Sequence, residues 1–146
     1  MEPLQDELME VPSFDVEEDT VLLAGEGKLV ANLKKIFLFL AGVAAQKHGK
    51  ALAEQQTLLA RLADLAILAY ASESAVLRAL KDAGRRGQTA AALPIAAARI
   101  ACEIALTRAE GFAREALAAL EEGDILATML AALRRLTRRT PANTVG

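Results

Sequence analysis

The side chains that most often serve as acid–base catalysts or nucleophiles near neutral pH are scarce in this sequence. It has one histidine, His48, and one cysteine, Cys102, in different predicted helices. Gly49 follows His48 and favours a helix end there, where a partly cationic imidazole suits the helix dipole. We interpret Cys102 as a small core residue. Neither residue predicts a catalytic site.

Metal-binding and phosphate-binding motifs are also absent from the sequence. A di-metal bundle site uses Glu-x-x-His, but Ala45 lies three residues before His48. The single cysteine excludes an internal disulfide and a multi-cysteine metal site, and it fits a reducing cytoplasm. The glycines at 25 and 27 are too closely spaced for a phosphate loop. We therefore predict no catalytic, cofactor-binding or metal-ligating residue, and a stand-alone enzyme would need a site that these residues do not assemble.

Arginines are the more suggestive charged residues. If the second and fourth helices end at the same pole, six guanidinium groups gather there and can bind phosphate, carboxylate or a partner surface. The alternative is that these bases interact with helix dipoles and terminal carbonyls. Nucleic acid is not expected as a partner, because the chain is slightly acidic and no aromatic residues alternate with the bases. The six residues are Arg85, Arg86, Arg134, Arg135, Arg138 and Arg139.

The composition favours helices. Hydrophobic residues make up 53% of the 146 residues, 32 residues are alanine, and aromatic residues are only 3%. This composition favours closely packed helices and provides few β-branched or aromatic runs for a sheet. The longest uncharged run, residues 87–98, has 12 residues. A spanning helix needs about 20 apolar residues, so we expect no transmembrane helix.

Apolar periodicity predicts four helices with short connections in residues 28–146, which favours an all-α, antiparallel four-helix bundle. Arg85, Arg86 and Gly87 are expected in the loop after the second helix. The expected helices run from about Lys28 to His48, from within 51–55 to near Gly84, from within 89–94 to about Glu121, and from an Asp124 N-cap to no later than Thr140.

The second predicted helix has apolar residues in two rows. Since a helix that is apolar on most sides is buried, we expect it at the centre of the bundle. Glu73 lies near the first row, so we expect partial burial and a cationic partner. In the third helix, the large apolar residues that we expect in the stripe include Ile100 and Ile104. The two rows of the second helix are Leu58, Leu62, Leu65, Ala69, Ser72, Val76, Leu80 and Leu59, Ala63, Ile67, Tyr70, Ser74, Leu77.

Residues 1–27 form a predicted acidic leader with nine acidic residues and no base, whereas residues 28–146 have 17 bases and 10 acids. The leader either lies on the basic body or is a solvated linker. Strong salt dependence of its proteolysis favours the first alternative. The leader shows no signal-peptide pattern, because no basic region precedes an apolar core.

The first predicted helix contains a wholly apolar run, residues 36–45. Phe37 and Phe39 point to different faces, so one can fill the core while the other is available to a partner. An alternative hypothesis is a peripheral membrane-surface module, in which this run and the adjacent Lys34 and Lys35 lie at the headgroup boundary.

Two segments resemble the C-terminal region of long-chain and very-long-chain acyl-CoA dehydrogenases. The first, Lys34 to Leu80, has a Gly-Lys step, a Glu-Gln turn and a long helix with Tyr70 before a patch of small residues. The second is the arginine-rich LAALRRLTRRTPANTV, Leu130 to Val145. With the helix between them, the resemblance covers roughly residues 28–145.

This resemblance implies an accessory domain of a flavoprotein of fatty-acid β-oxidation. In that family the FAD site and the catalytic glutamate belong to preceding domains, and the Glu-Gly-Thr-Asn type of signature is absent here. The extra domain packs on the catalytic body and takes part in dimer architecture. We therefore expect docking and oligomerisation rather than turnover, a homodimer, and a catalytic body in the same or another chain. We expect a cytoplasmic location, with a location peripheral to the inner membrane face as the alternative.

Overall fold

The structure is a computed structural model that describes residues 21–139. Every regular element in this range is helical, and the range contains no strand. Residues 1–20 of the predicted leader and residues 140–146 lie outside the described range. The elements are α1 (Ala24–His48), a 3-10 helix (Gly49–Glu54), α2 (Gln56–Arg86), α3 (Ala92–Leu120) and α4 (Gly123–Thr137).

The first helix begins earlier than expected, at Ala24 rather than at Lys28. Leu23 precedes it with φ 60° and is only 4% exposed. Its carbonyl accepts a hydrogen bond from the Gly27 N–H at 2.9 Å. Burial of Leu23 offsets the low helix propensity of the two glycines in the first turn.

Helix α2 ends at Arg86, later than the Gly84 that we expected, and Gly87 is its C-cap. Gly87 has φ 86°, a left-handed conformation that glycine adopts without the steric cost of a side chain, and its N–H donates to the Ala83 carbonyl at 2.9 Å. Placing Arg85 and Arg86 in a loop was therefore wrong, because both lie in the last turn of α2.

The predicted helix stop at Gly49 is confirmed, with φ 52° at the end of α1. The predicted N-cap of the fourth helix is wrong: the residue before the first turn is Glu122, and Asp124 lies within that turn. In that position its carboxylate still interacts favourably with the helix dipole.

Helix α3 is the most buried helix, contrary to the expectation that the second helix lies at the centre. Eleven residues of α3 are buried, against seven of α2. Five of the eleven are alanine, which lets neighbouring helices approach closely. The larger Ile100 and Ile104, which we expected in the stripe, are 42% and 40% exposed. The buried residues of this stripe are Ile95, Ala98, Cys102, Glu103, Ala105, Leu106, Ala109, Ala113, Ala116, Leu117 and Leu120.

Helix α2 buries one face only. Its first predicted row is buried except for Leu80, which is 38% exposed. The second row faces outward: Ile67, Tyr70 and Leu77 are 63%, 75% and 59% exposed. Both rows have the same period, so periodicity alone did not show which of them packs against α1 and α3.

Ion pairs between helices show which helix ends adjoin. The predicted cationic partner of Glu73 is confirmed as Lys34, with 2.8 Å between Nζ and Oε1, although the Glu73 side chain is 39% exposed. Three other pairs also join helix ends. The first joins the starts of α1 and α3, the second joins the ends of α1 and α3, and the third joins the start of α2 to the end of α3. They are Glu26–Arg99 at 3.5 Å, Lys47–Glu121 at 3.8 Å and Arg61–Glu115 at 2.7 Å.

Candidate functional site

His48 and Cys102 are not near each other in the fold. His48 is half-buried at the end of α1 and lines a cleft of about 170 Å³ with Arg61 and Glu115. Cys102 is fully buried in α3, and burial, with a smaller contribution from the charge of Glu26, raises the pKa of its thiol to about 11. A thiol with this pKa is protonated near neutral pH and is a poor nucleophile. Among the described residues, no three His, Cys, Asp or Glu side chains form a group that can hold a metal.

The best-built polar cluster joins the end of α4 to the middle of α3. The Arg139 guanidinium donates to both oxygens of Glu103, with 2.8 Å from Nη2 to Oε1 and 3.2 Å from Nε to Oε2. It also donates to the Thr107 hydroxyl and to the Thr137 carbonyl, each at 2.8 Å. The Glu103 and Arg139 side chains are 9% and 16% exposed. These hydrogen bonds connect α3 to the residues at the end of α4.

The six arginines occupy different places. Arg139 binds Glu103, which lies eleven residues after the first residue of α3. Glu103 is therefore about 16 Å along the helix axis from the start of α3, which is the end of α3 that follows α2. Arg86 lies at the end of α2 and is paired with Asp82. Arg134, Arg135 and Arg138 are exposed around the end of α4. The geometry therefore does not bring the six guanidinium groups into one site, and anion or partner binding by any of them stays a prediction.

A basic cleft lies between the last turns of α2 and the first turn of α3. It has a volume of about 340 Å³ and is lined by Arg78, Lys81, Asp82, Arg85 and Pro94. Of the six predicted arginines, only Arg85 lines it. Arg78 and Lys81 were not among the residues predicted to bind an anion, because they lie within the predicted second helix rather than in an arginine run.

Phe37 and Phe39 are both half-buried, and both pack against the main core. The exposed large apolar residue between them is Leu38, at 47%. A role for either phenylalanine in an interface stays a prediction.

The largest exposed apolar side chains of α2 form a row, which we call the α2 outer face: Ile67, Tyr70 and Leu77, with the exposed Ser74 between the last two. Spacings of three and four residues place these side chains on one side of the helix. On α3, Leu93, Ile100 and Ile104 are 80%, 42% and 40% exposed. Contiguous exposed apolar patches mark contact surfaces more often than single exposed residues do.

One described segment, Ala24–Glu54, is long and apolar enough to span a membrane by length and composition, with a mean hydropathy of 1.4. Core helices of other proteins meet the same criterion. In this chain, a third of the 18-residue stretch that meets it is buried. Leu33, Ile36 and Leu40 are at most 1% exposed, so the apolar stripe of α1 packs into the core of the chain.

Comparison with known proteins assigns the family. The family described as "Acyl-CoA dehydrogenase, C-terminal domain" matches residues 32–135. The chain belongs to this family. The resemblance drawn from the sequence is confirmed at this level.

Two relatives extend the match over nearly the whole of this acyl-CoA dehydrogenase C-terminal domain. The probable acyl-CoA dehydrogenase of Bacillus subtilis (strain 168) is 44% identical over 142 residues, which are 97% of the chain and 24% of that protein. A crystal structure of an acyl-CoA dehydrogenase from Bacillus anthracis, complexed with FAD, is 42% identical, with a TM-score of 0.88 over 97% of the chain and 24% of that protein. The chain thus spans about a quarter of the length of these relatives.

The described residues of this acyl-CoA dehydrogenase C-terminal domain do not fit a flavin. Both clefts described above are lined mainly by charged, polar and small side chains rather than by an extended apolar wall. A flavin site needs an extended apolar pocket with a few converging polar groups. We therefore assign no step of flavin chemistry to these residues.

Two features of this domain were missed at the sequence level. Glu103 is the buried partner of Arg139, and its only signal was its place beside Cys102 in an alanine-rich stretch. The α2 outer face was interpreted as a second core row. Helix α2 packs mainly on α1 and α3, and two neighbouring helices leave one of its rows exposed.

Proposed function

We propose that this chain is the accessory domain of an acyl-CoA dehydrogenase of the long-chain or very-long-chain type. The domain docks on the catalytic body and contributes to a homodimer, while the FAD site and the catalytic glutamate belong to the remainder of the enzyme. This proposal rests on the family match and on the quarter of the relatives' length that the chain spans.

The α2 outer face is the observation that carries the docking role. Ile67, Tyr70 and Leu77 leave more than half of each side chain uncovered on one side of a long helix. Tyrosine is enriched in protein interfaces, and contiguous exposed apolar patches mark contact surfaces. A domain that provides such a face is suited to binding another protein surface.

We also propose that the four helices alternate in direction, as in an antiparallel bundle. The ion pair between Arg61 and Glu115 supports opposite directions for α2 and α3, and the contact of Arg139 with Glu103 supports the same for α3 and α4. In this arrangement the acidic leader is the connector to the catalytic body. We place the assembled enzyme in the cytoplasm.

The docking proposal is tested by reconstitution. The tagged chain is mixed with the Bacillus subtilis relative lacking its matching C-terminal segment, and flavin absorbance is followed by size-exclusion chromatography. Wild type should coelute with the flavoprotein. The double substitution Ile67→Glu with Tyr70→Glu should lower the coeluting fraction by about tenfold, because it places two charges in an apolar contact.

The matched control is Ile125→Glu, since Ile125 is 57% exposed on α4, close to the 63% of Ile67. This variant should bind like wild type. Docking through the α2 outer face is refuted if wild type fails to coelute or if both variants behave alike. Cosedimentation of the chain with anionic vesicles would instead support the membrane-surface alternative.

A further inference from the structure

Three cations that form no ion pair within residues 21–139 line the basic cleft between α2 and α3. They are Arg78, Lys81 and Arg85, and all three residues are exposed. Spacings of three and four residues place them on one side of α2, over about 10 Å of the helix axis. The cleft therefore concentrates positive charge on a concave surface.

The one carboxylate of the cleft, Asp82, is already compensated. Arg86 donates from Nε to Oδ1 at 2.6 Å, and a second hydrogen bond joins Nη2 to Oδ2. The hydrogen bonding to Arg86 holds the pKa of Asp82 below its usual value, and the charges of Arg86 and Arg85 contribute less. Because Arg86 compensates Asp82, the charge of the three lining cations remains to attract an anion.

The dipole of α2 accounts for only part of this basic cluster. The negative end of a helix dipole favours cations in the last turn, and Arg85 and Arg86 occupy that turn. Lys81 lies five residues before the end of α2 and Arg78 lies eight residues before it. Since the dipole effect falls off within the last turn, it does not explain these two cations.

The other wall of the cleft adds no negative charge. It is formed by Pro94 in the first turn of α3, and this turn carries no acidic residue. The positive end of the α3 dipole lies at the same turn. Both walls of the cleft therefore favour an anion over a cation as the occupant.

The size and charge of the cleft indicate the class of anion. Guanidinium groups bind phosphate oxygens in a bidentate manner, and a lysine ammonium adds a point charge. Three cations spread over about 10 Å of helix suit two linked phosphates better than a single one. The cleft volume of about 340 Å³ falls within the usual range for small-molecule sites.

We propose that the basic cleft binds a compound that carries a diphosphate group, with Arg78, Lys81 and Arg85 as its ligands. Exposed ion pairs are weak singly and are screened by salt, so binding depends on several pairs acting together. The proposal does not depend on docking to a catalytic body.

Isothermal titration calorimetry of the chain with inorganic diphosphate at low salt tests the site. Diphosphate should bind at least about fivefold more tightly than inorganic phosphate, because its larger charge contacts more of the three cations. Raising the salt concentration tenfold should weaken diphosphate binding by about fivefold or more.

Charge reversal provides the matched comparison. Arg78→Glu with Arg85→Glu should weaken diphosphate binding by about tenfold or more, since it replaces two attractive charges with repulsive ones. Arg134→Glu with Arg135→Glu makes the same change in net charge at exposed arginines of α4 and should alter binding by less than about twofold. Circular dichroism checks that both variants fold.

Labelling of the wild-type chain tests the site without any substitution. Pyridoxal 5′-phosphate, followed by borohydride, modifies lysines, and a nearby phosphate site enriches the modification. Mass spectrometry should find Lys81 labelled at about threefold or more the yield of Lys50, which is exposed in the 3-10 helix. Inorganic diphosphate should protect Lys81 and leave Lys50 unchanged.

Three results would overturn the proposal. Diphosphate binds no more tightly than phosphate, the two double variants weaken binding equally, or diphosphate fails to protect Lys81. Equal effects of the two variants would mean that the anion responds to net charge alone. None of these results bears on the reconstitution experiment with the catalytic body.

Discussion

At the scale of single residues, the contact between Glu103 and Arg139 is the most buried ion pair in the part of the chain that the structure describes. Removing one member of a buried ion pair leaves the other charge desolvated and unpaired. Exposed pairs, such as Lys34 with Glu73, are solvated in both states and contribute little. Burial, more than distance, therefore separates the two pairs, since each has a nitrogen–oxygen distance of 2.8 Å.

We predict that Glu103→Ala lowers the free energy of unfolding by about 3 kcal/mol, because it strands the Arg139 guanidinium. Glu73→Ala should lower it by less than about 1 kcal/mol. Urea denaturation followed by circular dichroism measures both. Equal effects of the two substitutions would mean that the Glu103 pair is as solvated as the exposed one.

Cys102 gives a prediction for alkaline pH. Burial raises the pKa of its thiol to about 11 in the folded chain, from an ordinary value of 9.0. Between these values the unfolded chain releases the proton and the folded chain keeps it, so the free energy of unfolding falls as pH rises. Below pH 9 both states are protonated and the thiol adds no pH dependence.

The comparison of wild type with Cys102→Ala isolates this effect, since lysine and tyrosine titrations are common to both proteins. The stability of wild type relative to the variant should fall between pH 9 and pH 11 and stay constant from pH 7 to pH 9. Urea denaturation at each pH measures it. Parallel pH profiles would show that the thiol titrates alike in the folded and unfolded chains.

At the scale of elements, α3 is the helix against which the others pack. Its buried stripe combines many alanines with Leu106 and Leu117, both fully buried. Small residues bring neighbouring helices close, and the leucines fill the remaining space, as close-packed interiors require. Helix α2 lies to one side and keeps an apolar row outside.

We predict that Leu106→Ala lowers the free energy of unfolding by about 2–5 kcal/mol, because it creates a cavity in the core. Ile104→Ala is the matched control on the same helix, since Ile104 is 40% exposed, and we expect it to change stability by less than about 1 kcal/mol. Denaturant unfolding compares the two. A larger effect at Ile104 would mean that α3 packs through a different face.

At the scale of the whole molecule, the chain corresponds to one part of its longer relatives. The family match covers residues 32–135, and the relatives are about four times as long as the chain. The described surface provides an apolar outer face on α2 and a basic cleft at one end. We have proposed a catalytic body as the partner of the first surface.

The sequence by itself determined the helical class, the number of helices and the family. Periodicity and alanine richness do this because a helix repeats its faces every 3.6 residues whatever lies beside it. The stop at Gly49 followed for the same local reason, since only the backbone of one residue is involved. The cationic partner of Glu73 was also expected, because a charge near an apolar stripe favours pairing.

The tertiary structure alone decided which apolar row is buried and which bases are paired. Two rows of α2 have equal period, and contact with α1 and α3 buries the row of Leu65 while leaving Tyr70 outside. Arg139 belongs to an arginine run in the sequence, yet it is the one that meets Glu103, 36 residues away. Such choices depend on contacts between residues far apart in the chain, which local pattern cannot encode.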